Sequence, residues 1–330
     1  MNRQKIKNGL GWLSMAAIAA VAASTLGPAS VGAQNYPNKP INAIVPFAAG
    51  GGADTQTRIW SDAMASILGQ RIVIENVPAA AGVPGTKQGI AADPDGYSVV
   101  MGVASTIAIN PVTNKAANYN ALEDLKAVAI LGYTPYVMVV ANNLNIKTFP
   151  ELLNYAKANS DKVTYASWTS VGDFARKGLE LRAGLTMTSV PYKGGPDAIN
   201  DIIAGRVSAT ILDIGTAMPF IKAGSVTPIA MTGPDKSPAL PNVQSITEAG
   251  VKNYFIDSWT ALFVPKDTPQ AIVETLNSKT RQALSTKNVK DRYAELAIQQ
   301  LDYDAGETKA FMERQVKGWK TLIEDTKNVK

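Results

Sequence analysis

The chain has 330 residues and contains no cysteine and no histidine. The first absence excludes disulfides, thiolate metal sites and cysteine nucleophiles. The second excludes Ser-His-Asp relays, imidazole ligation of zinc or haem, and ordinary imidazole acid–base chemistry. Charged residues make up only 18%, and no block of Lys and Arg occurs, which disfavours nucleic-acid binding. No acidic residues stand at calcium-loop spacing, no Ser-x-x-Lys occurs, and no pair of carboxylates is usefully placed. A hydrolase or lyase would have to rely on Asp54, Asp213 or a Ser/Lys pair. No catalytic residue, metal or cofactor is therefore expected. Glycine (26) and proline (19) are near ordinary usage, so collagen-like and low-complexity chains are excluded too.

What remains is a chain that is 46% hydrophobic and long enough for two domains with a buried core. Its first 33 residues read as an address. Arg3, Lys5 and Lys7 form a basic start, Leu10 to Leu26 is uncharged and alanine-rich, and Val31-Gly-Ala33 supplies small residues for cleavage. That is the pattern of a cleavable secretory signal peptide; the alternative, a transmembrane anchor, is disfavoured because the uncharged run is short, alanine-rich and followed by a cleavage pattern. Removing residues 1–33 takes three positive charges and no negative ones from the net charge of +5, leaving +2. No later stretch reaches the ~20 apolar residues of a membrane span.

Beyond the leader, Ile41–Val45 reads as a strand, followed by a small-residue loop and a helix opened by Asp54 and closed by Gly69. A second strand runs over 71–75, giving a β-α-β unit. Strands are expected over 97–103, 162–166, 188–192, 207–213, 226–230 and 259–264, with the apolar runs 127–131 and 136–141 between the first and second of these. Capping boxes at Thr148/Glu151 and Asp304/Glu307 open helices. The alternation restarts after about residue 140, which suggests two α/β lobes: 34–135, 136–252, and a return of 253–330 to the first lobe. In open α/β sheets ligands bind outside the carboxyl ends of the strands.

Two strand-to-helix loops carry the strongest functional signal. In Phe47, Ala48, Ala49, Gly50, Gly51, Gly52, Ala53 and Asp54, small residues let a ligand approach the backbone, and a helix start offers free N–H groups to an anion. Such a loop can equally be a tight turn, and Asp54 can cap its own helix; a surface ion pair is the simplest role for Arg58. The second loop, Ser167, Trp168, Thr169, Ser170, Val171 and Gly172, combines three hydroxyls with a ring able to stack on a planar ligand or to plug a core gap. Arg176 lies a turn later, on the surface or against a distal carboxylate. Ser105 and Thr106 end a strand and can add hydroxyl donors, and Asp213 closes another. Two anion sites facing each other across a closing cleft would suit a molecule with a carboxylate at each end.

Five segments occur in an order that points to a family: Tyr36-Pro-Asn-Lys-Pro-Ile41, Val45-Pro-Phe-Ala-Ala-Gly-Gly-Gly-Ala-Asp54, Asp93-Pro-Asp-Gly-Tyr97, Pro191-Tyr-Lys-Gly-Gly195 and Asp201-Ile-Ile-Ala-Gly205. Across the mature chain the sequence resembles the substrate-binding proteins of tripartite tricarboxylate transporters, the Bug family. The resemblance implies a two-lobed α/β periplasmic binding protein fold and a monomer that captures a small organic carboxylate between its lobes. It also implies delivery to a membrane permease of one large and one small subunit. By the same resemblance, Phe47–Asp54 grips the proximal carboxylate through backbone groups and ordered water. Ser167–Gly172, with Ser105 and Thr106, shapes the distal end, and Asp213 stands near the cleft. One departure bears on the ligand. Where the family usually has small Ser/Gly residues with a histidine nearby, this chain has Trp168 and no histidine, which tilts the expected ligand toward an aromatic carboxylate such as terephthalate.

Overall fold

The computed structural model describes residues 36–329, apart from 160–161, 193–194, 234–235 and 255; the expected signal peptide lies outside the described residues. Strand Ile41–Val45 (β1) buries all its residues except Asn42. Its chain returns through helix Gly52–Leu68 (α1), which ends at Gly69 with φ 65°, the left-handed conformation that glycine adopts without strain. Strand Ile72–Asn76 (β2), helix Val83–Ile90 (α2) and strand Ser98–Gly102 (β3) complete the first βαβαβ run. β2 and β3 flank β1, both parallel to it. A π-turn at Ser105–Ile109 and the short helices Asn110–Thr113 (α3) and Ala121–Asp124 (α4) lead into Leu125–Ala141 (β4).

The chain continues as Phe149–Ala158 (α5), Thr164–Ser167 (β5), Ser170–Ala183 (α6), Thr188–Pro191 (β6), Gly195–Ile203 (α7), Ala209–Asp213 (β7), Ile214–Lys222 (α8) and Val226–Met231 (β8). It closes with Asp257–Pro265 (β9), Gln270–Leu284 (α9), Lys287–Glu295 (α10) and Ala305–Asp325 (α11). The strands join in the order β2-β1-β3-β9-β4-β7-β5-β6, with β8 also on β4. Two of the caps expected from sequence are formed. Thr148 accepts from the Glu151 amide, and Asp304 and Glu307 make a reciprocal capping box. α10 was not anticipated.

The apolar runs 127–131 and 136–141 belong to a single strand, the 17-residue β4. The intervening Gly132, Tyr133, Thr134 and Pro135 interrupt the apolar pattern, yet all four stay paired with β9, Pro135 opposite Asp257. From Tyr136 onward β4 changes partners and pairs antiparallel with β7, Tyr136 opposite Asp213, and from Val137 with β8. A proline, which lacks an N–H, sits where the ladder changes hands. The result is a mixed, curled sheet of two halves joined by one strand, with helices on its faces: the two-lobed α/β architecture expected for the chain. From Pro37 onward the protein forms one compact unit. Among the described residues no helix is long and apolar enough to cross a membrane.

Strand direction locates the cleft. β1, β2 and β3 are parallel, so the loops that follow them leave one edge of the first half. β5, β6 and β7 are parallel in the second half, and β7 ends at Asp213 opposite Tyr136. β3 ends beside Ala261 of β9, whose amino end meets β4 at Pro135. Both sets of strand-end loops therefore project toward the crossing at Pro135–Tyr136.

Candidate functional site

The first wall grows out of β1. Pro46 is buried, Phe47 half-buried, and Ala48 to Gly52 are exposed. Gly50 has φ 84°, which turns the loop back toward the helix. α1 starts at Gly52, two residues before Asp54. Its N-cap, Gly51, is extended and no side chain caps the helix, so the first-turn amides meet no protein acceptor from a cap. The positive end of a 17-residue helix thus opens onto an exposed loop of small residues.

Asp54 is only 1% exposed and points beneath the loop, neither capping from the N-cap position nor facing the cleft. Its carboxylate accepts from the Gly50 amide at 2.8 Å, from Asn76 Nδ2 at 2.9 Å, and from Arg58 Nε and Nη2 at 2.8 and 3.0 Å. Asn76 Nδ2 also donates to the Phe47 carbonyl at 3.0 Å. Burial alone would raise the Asp54 pKa; the bonds from Arg58, Gly50 and Asn76 outweigh it and hold the group below its ordinary 3.8. Asp54 is therefore the staple that sets the shape of the loop. It also takes the Gly50 amide, which narrows the anion-facing donors to the rest of the turn.

Residues that sequence reasoning left out of the site complete this wall. Gly82, at φ 85°, is packed so closely that a Cβ would lie 2.7 Å from Thr106 Cγ2 and 3.2 Å from Phe47 Cζ. The preceding Ala81 also has a positive φ of 57°, and Asn110 Nδ2 holds its carbonyl at 2.9 Å. The loops after β1, β2 and β3 thus meet at Phe47, Gly82 and Thr106. The signal available in sequence is the run Ala80-Ala-Gly-Val-Pro-Gly85, small residues with two glycines leading into a helix. Thr106 itself is 0% exposed, and its hydroxyl is spent on the Val103 amide and carbonyl, both at 3.1 Å. It shapes the wall from behind and presents no hydroxyl; half-buried Ser105 is the member of that pair with some solvent access.

The second wall follows β5. Ser167 and Trp168 are half-buried and Thr169 and Ser170 exposed. Thr169 caps α6 by accepting from the Gly172 amide at 3.0 Å. Gly172 is buried, and its carbonyl accepts from the Tyr165 hydroxyl at 3.0 Å, while Val171 is half-buried beside the core. The Trp168 indole packs against the turn after β6: a Cβ on Gly195 would sit 3.5 Å from its Cε2. Lys193 and Gly194 of that turn are outside the described residues. Asp213 caps α8 with one oxygen and takes the Thr216 hydroxyl with the other, both at 2.8 Å. Next to it, Gly215 leaves no room for a side chain, because a Cβ would lie 2.7 Å from the Leu296 carbonyl. Leu296 precedes Ala297, which has φ 53°. This approach of the α10 exit to the start of α8 was not read from sequence.

Arg176 does not take the expected place. It is 3% exposed, with Nη1 at 2.6 Å from Glu180 Oε2 and within 3.4 Å of the Met187 carbonyl, and Nη2 at 3.4 Å from Asp173. It is neither a surface charge nor an uncommitted cation, because Glu180 neutralises it inside the second half. Arg58, by contrast, keeps its head partly in water while paired with Asp54. Two of the quoted motifs serve as clasps. The Tyr97 hydroxyl donates to Asn38 Oδ1 at 2.9 Å, and the Tyr192 hydroxyl donates to Asp201 at 2.6 Å. Among the described residues no group of three or more acidic side chains could hold a metal ion.

This architecture, with two half-sheets and strand-end loops directed at their junction, is the α/β fold of periplasmic binding proteins. A family model described as the tripartite tricarboxylate transporter family receptor, TctC, matches residues 57–328. The chain belongs to that family, which is one of receptors and not of enzymes. A protein encoded in the TAR-I ttuE-ttuC' intergenic region of Agrobacterium vitis is 34% identical over 300 residues, spanning 89% of this chain and 85% of the relative. BugT of Bordetella pertussis is 29% identical over 301 residues, 90% and 92% of the two chains. The structure of MatC from Rhodopseudomonas palustris with bound malate superimposes with a TM-score of 0.73 at 26% identity, covering 87% of this chain and 100% of that one.

Proposed function

We propose that the protein is a periplasmic receptor that captures a small organic carboxylate between its lobes and hands it to a tripartite membrane transporter of one large and one small subunit. In this reading residues 34–135 and 253–330 make one lobe, 136–252 the other, and the protein acts as a monomer. The observation that carries it is the start of α1. An exposed loop of small residues leads into a helix whose first-turn amides no side chain caps, and a carboxylate is the natural acceptor for them. Membership of the TctC family and the malate bound to MatC support the same chemistry.

The ligand is an aromatic mono- or dicarboxylate such as terephthalate. This rests on Trp168, whose half-buried ring stands between the exposed Thr169–Ser170 turn and Gly195. The malate bound to MatC favours the alternative, an aliphatic di- or tricarboxylate. Calorimetric titration with terephthalate, benzoate, malate, adipate and citrate separates the two. Terephthalate or benzoate is expected to bind tightest, and Trp168→Ala to weaken that acid by roughly tenfold, the size of one stacking contact. Tighter binding of citrate, malate or adipate than of either aromatic acid sinks the aromatic reading, and no binding of any acid sinks the receptor reading.

The role of Asp54 gives a second test. Asp54→Ala removes the acceptor that holds the Gly50 amide and Asn76. It is expected to cost about 2 kcal/mol of stability in urea unfolding and roughly tenfold or more in carboxylate affinity, although it removes a negative charge near an anion. Unchanged or improved affinity would show that the loop does not grip the ligand.

A further inference from the structure

A cavity of about 670 Å³ shares no residue with the loops 47–54, 105–106 and 167–172 or with Asp213. Its volume suits a small molecule. Its polar floor is Asp257, the first residue of β9, opposite Pro135 where β4 changes partners. Asp257 is 7% exposed; it accepts from Gln315 Nε2 at 3.1 Å and from the Tyr133 hydroxyl. Among the described residues no ion pair includes it. Burial raises its pKa to about 6, so near neutral pH the cavity holds a carboxylate without a counter-charge.

The cavity's apolar lining with solvent access is Leu301 and Tyr303, both half-buried, laid over the buried rings of Tyr254, Phe311 and Trp319. Between Phe311 and Leu322, α11 carries Gly318, which lines the cavity. A Cβ there would meet nothing within 4 Å. Glycine inside a helix is unfavourable relative to alanine, and here no neighbour requires it; what it leaves is room. Of the cations that also line it, Arg182 is paired with Asp325, and Arg314 and Lys317 are exposed, where water screens them.

We propose that this cavity binds a small organic ammonium ion, its N–H groups donated to Asp257 and its apolar body laid against Leu301 and the Tyr303 ring along Gly318. The site shares no residue with the carboxylate loops, and its test needs no cleft ligand. Phenethylamine is titrated calorimetrically into the full chain and into the variants Asp257→Asn, Gly318→Phe and Asp54→Ala, each checked for folding by circular dichroism. One equivalent is expected to bind, with at least tenfold loss in Asp257→Asn and in Gly318→Phe, which fills the space, and none in Asp54→Ala. Asp257→Asn lowers the burden of a buried charge and is expected to fold, so it reads the site even should Gly318→Phe be unstable. No binding up to about 10 mM, equal affinity in wild type and Asp257→Asn, or loss confined to Asp54→Ala would overturn the proposal. So would binding of phenylacetate, in place of the amine, that Gly318→Phe abolishes.

Discussion

Arg176→Ala should lower the stability of the protein by about 3–5 kcal/mol, the cost of leaving a buried charge without its partner, while molecules that remain folded bind carboxylates as before. Arg176 is 3% exposed and Glu180 8%. The Glu180 carboxylate accepts from Arg176 Nη1 and from the Met187 amide, both at 2.6 Å. Removing the guanidinium strands that carboxylate between α6 and the segment leading to β6. Arg176→Lys should recover only part of the loss, because a lysine cannot reproduce the guanidinium's separate contacts to Glu180, Met187 and Asp173. The double variant Arg176→Met/Glu180→Leu should recover most of it, because it removes both charges from the interior. Urea unfolding of the three variants with titration of each checks the set. Normal stability with weakened carboxylate binding in Arg176→Ala would place the guanidinium in the cleft.

Asp257→Asn should act in the opposite direction, and only above mildly acidic pH. Burial lifts the Asp257 pKa from 3.8 to about 6, against the smaller opposing pull of Gln315 and Tyr133. Between those values the unfolded chain has released the proton and the folded chain retains it, so wild-type stability falls as pH rises through that window and levels off beyond it. At about 1.4 kcal/mol per unit, the shift corresponds to about 3 kcal/mol at neutral pH. Asparagine carries no such penalty, so the variant should be the more stable protein at pH 7.5 and equal to wild type near pH 4. Urea midpoints across that range measure the difference. A difference independent of pH would mean that the carboxyl titrates in the native state as it does when unfolded.

The parts of the fold that could be read from sequence are those whose cause is local. β1, the Gly-rich loop and α1 follow from an apolar run, small residues and a helical stripe ending at Gly69. α11 follows from a capping box three residues wide. What escaped depends on partners far along the chain. Gly132 to Pro135 look like a turn until β9, more than a hundred residues later, pairs with them. Asp54 looks like a cap until Asn76 arrives from β2 to share it. The four-residue spacing of Arg176 and Glu180 is that of a surface ion pair; only the segment before β6, closing over it through Met187, makes it interior. The two walls of the site were legible as loops, because glycine and hydroxyl residues between strand and helix are a local signal. Their joining at Phe47, Gly82 and Thr106 was not, because contact between three loops is a property of strand order.

The continuity of β4 has a consequence for how the molecule comes apart. Its amino-terminal stretch pairs with β9 and its carboxyl-terminal stretch with β7 and β8, so one uninterrupted strand belongs to both halves, and melting of either half frees one end of a strand that the other must hold straight. Heating should accordingly give one calorimetric transition with equal van't Hoff and measured enthalpies, not the staggered pair typical of domains strung on a linker. A chain severed between Pro135 and Tyr136 should yield fragments that regain structure only when mixed.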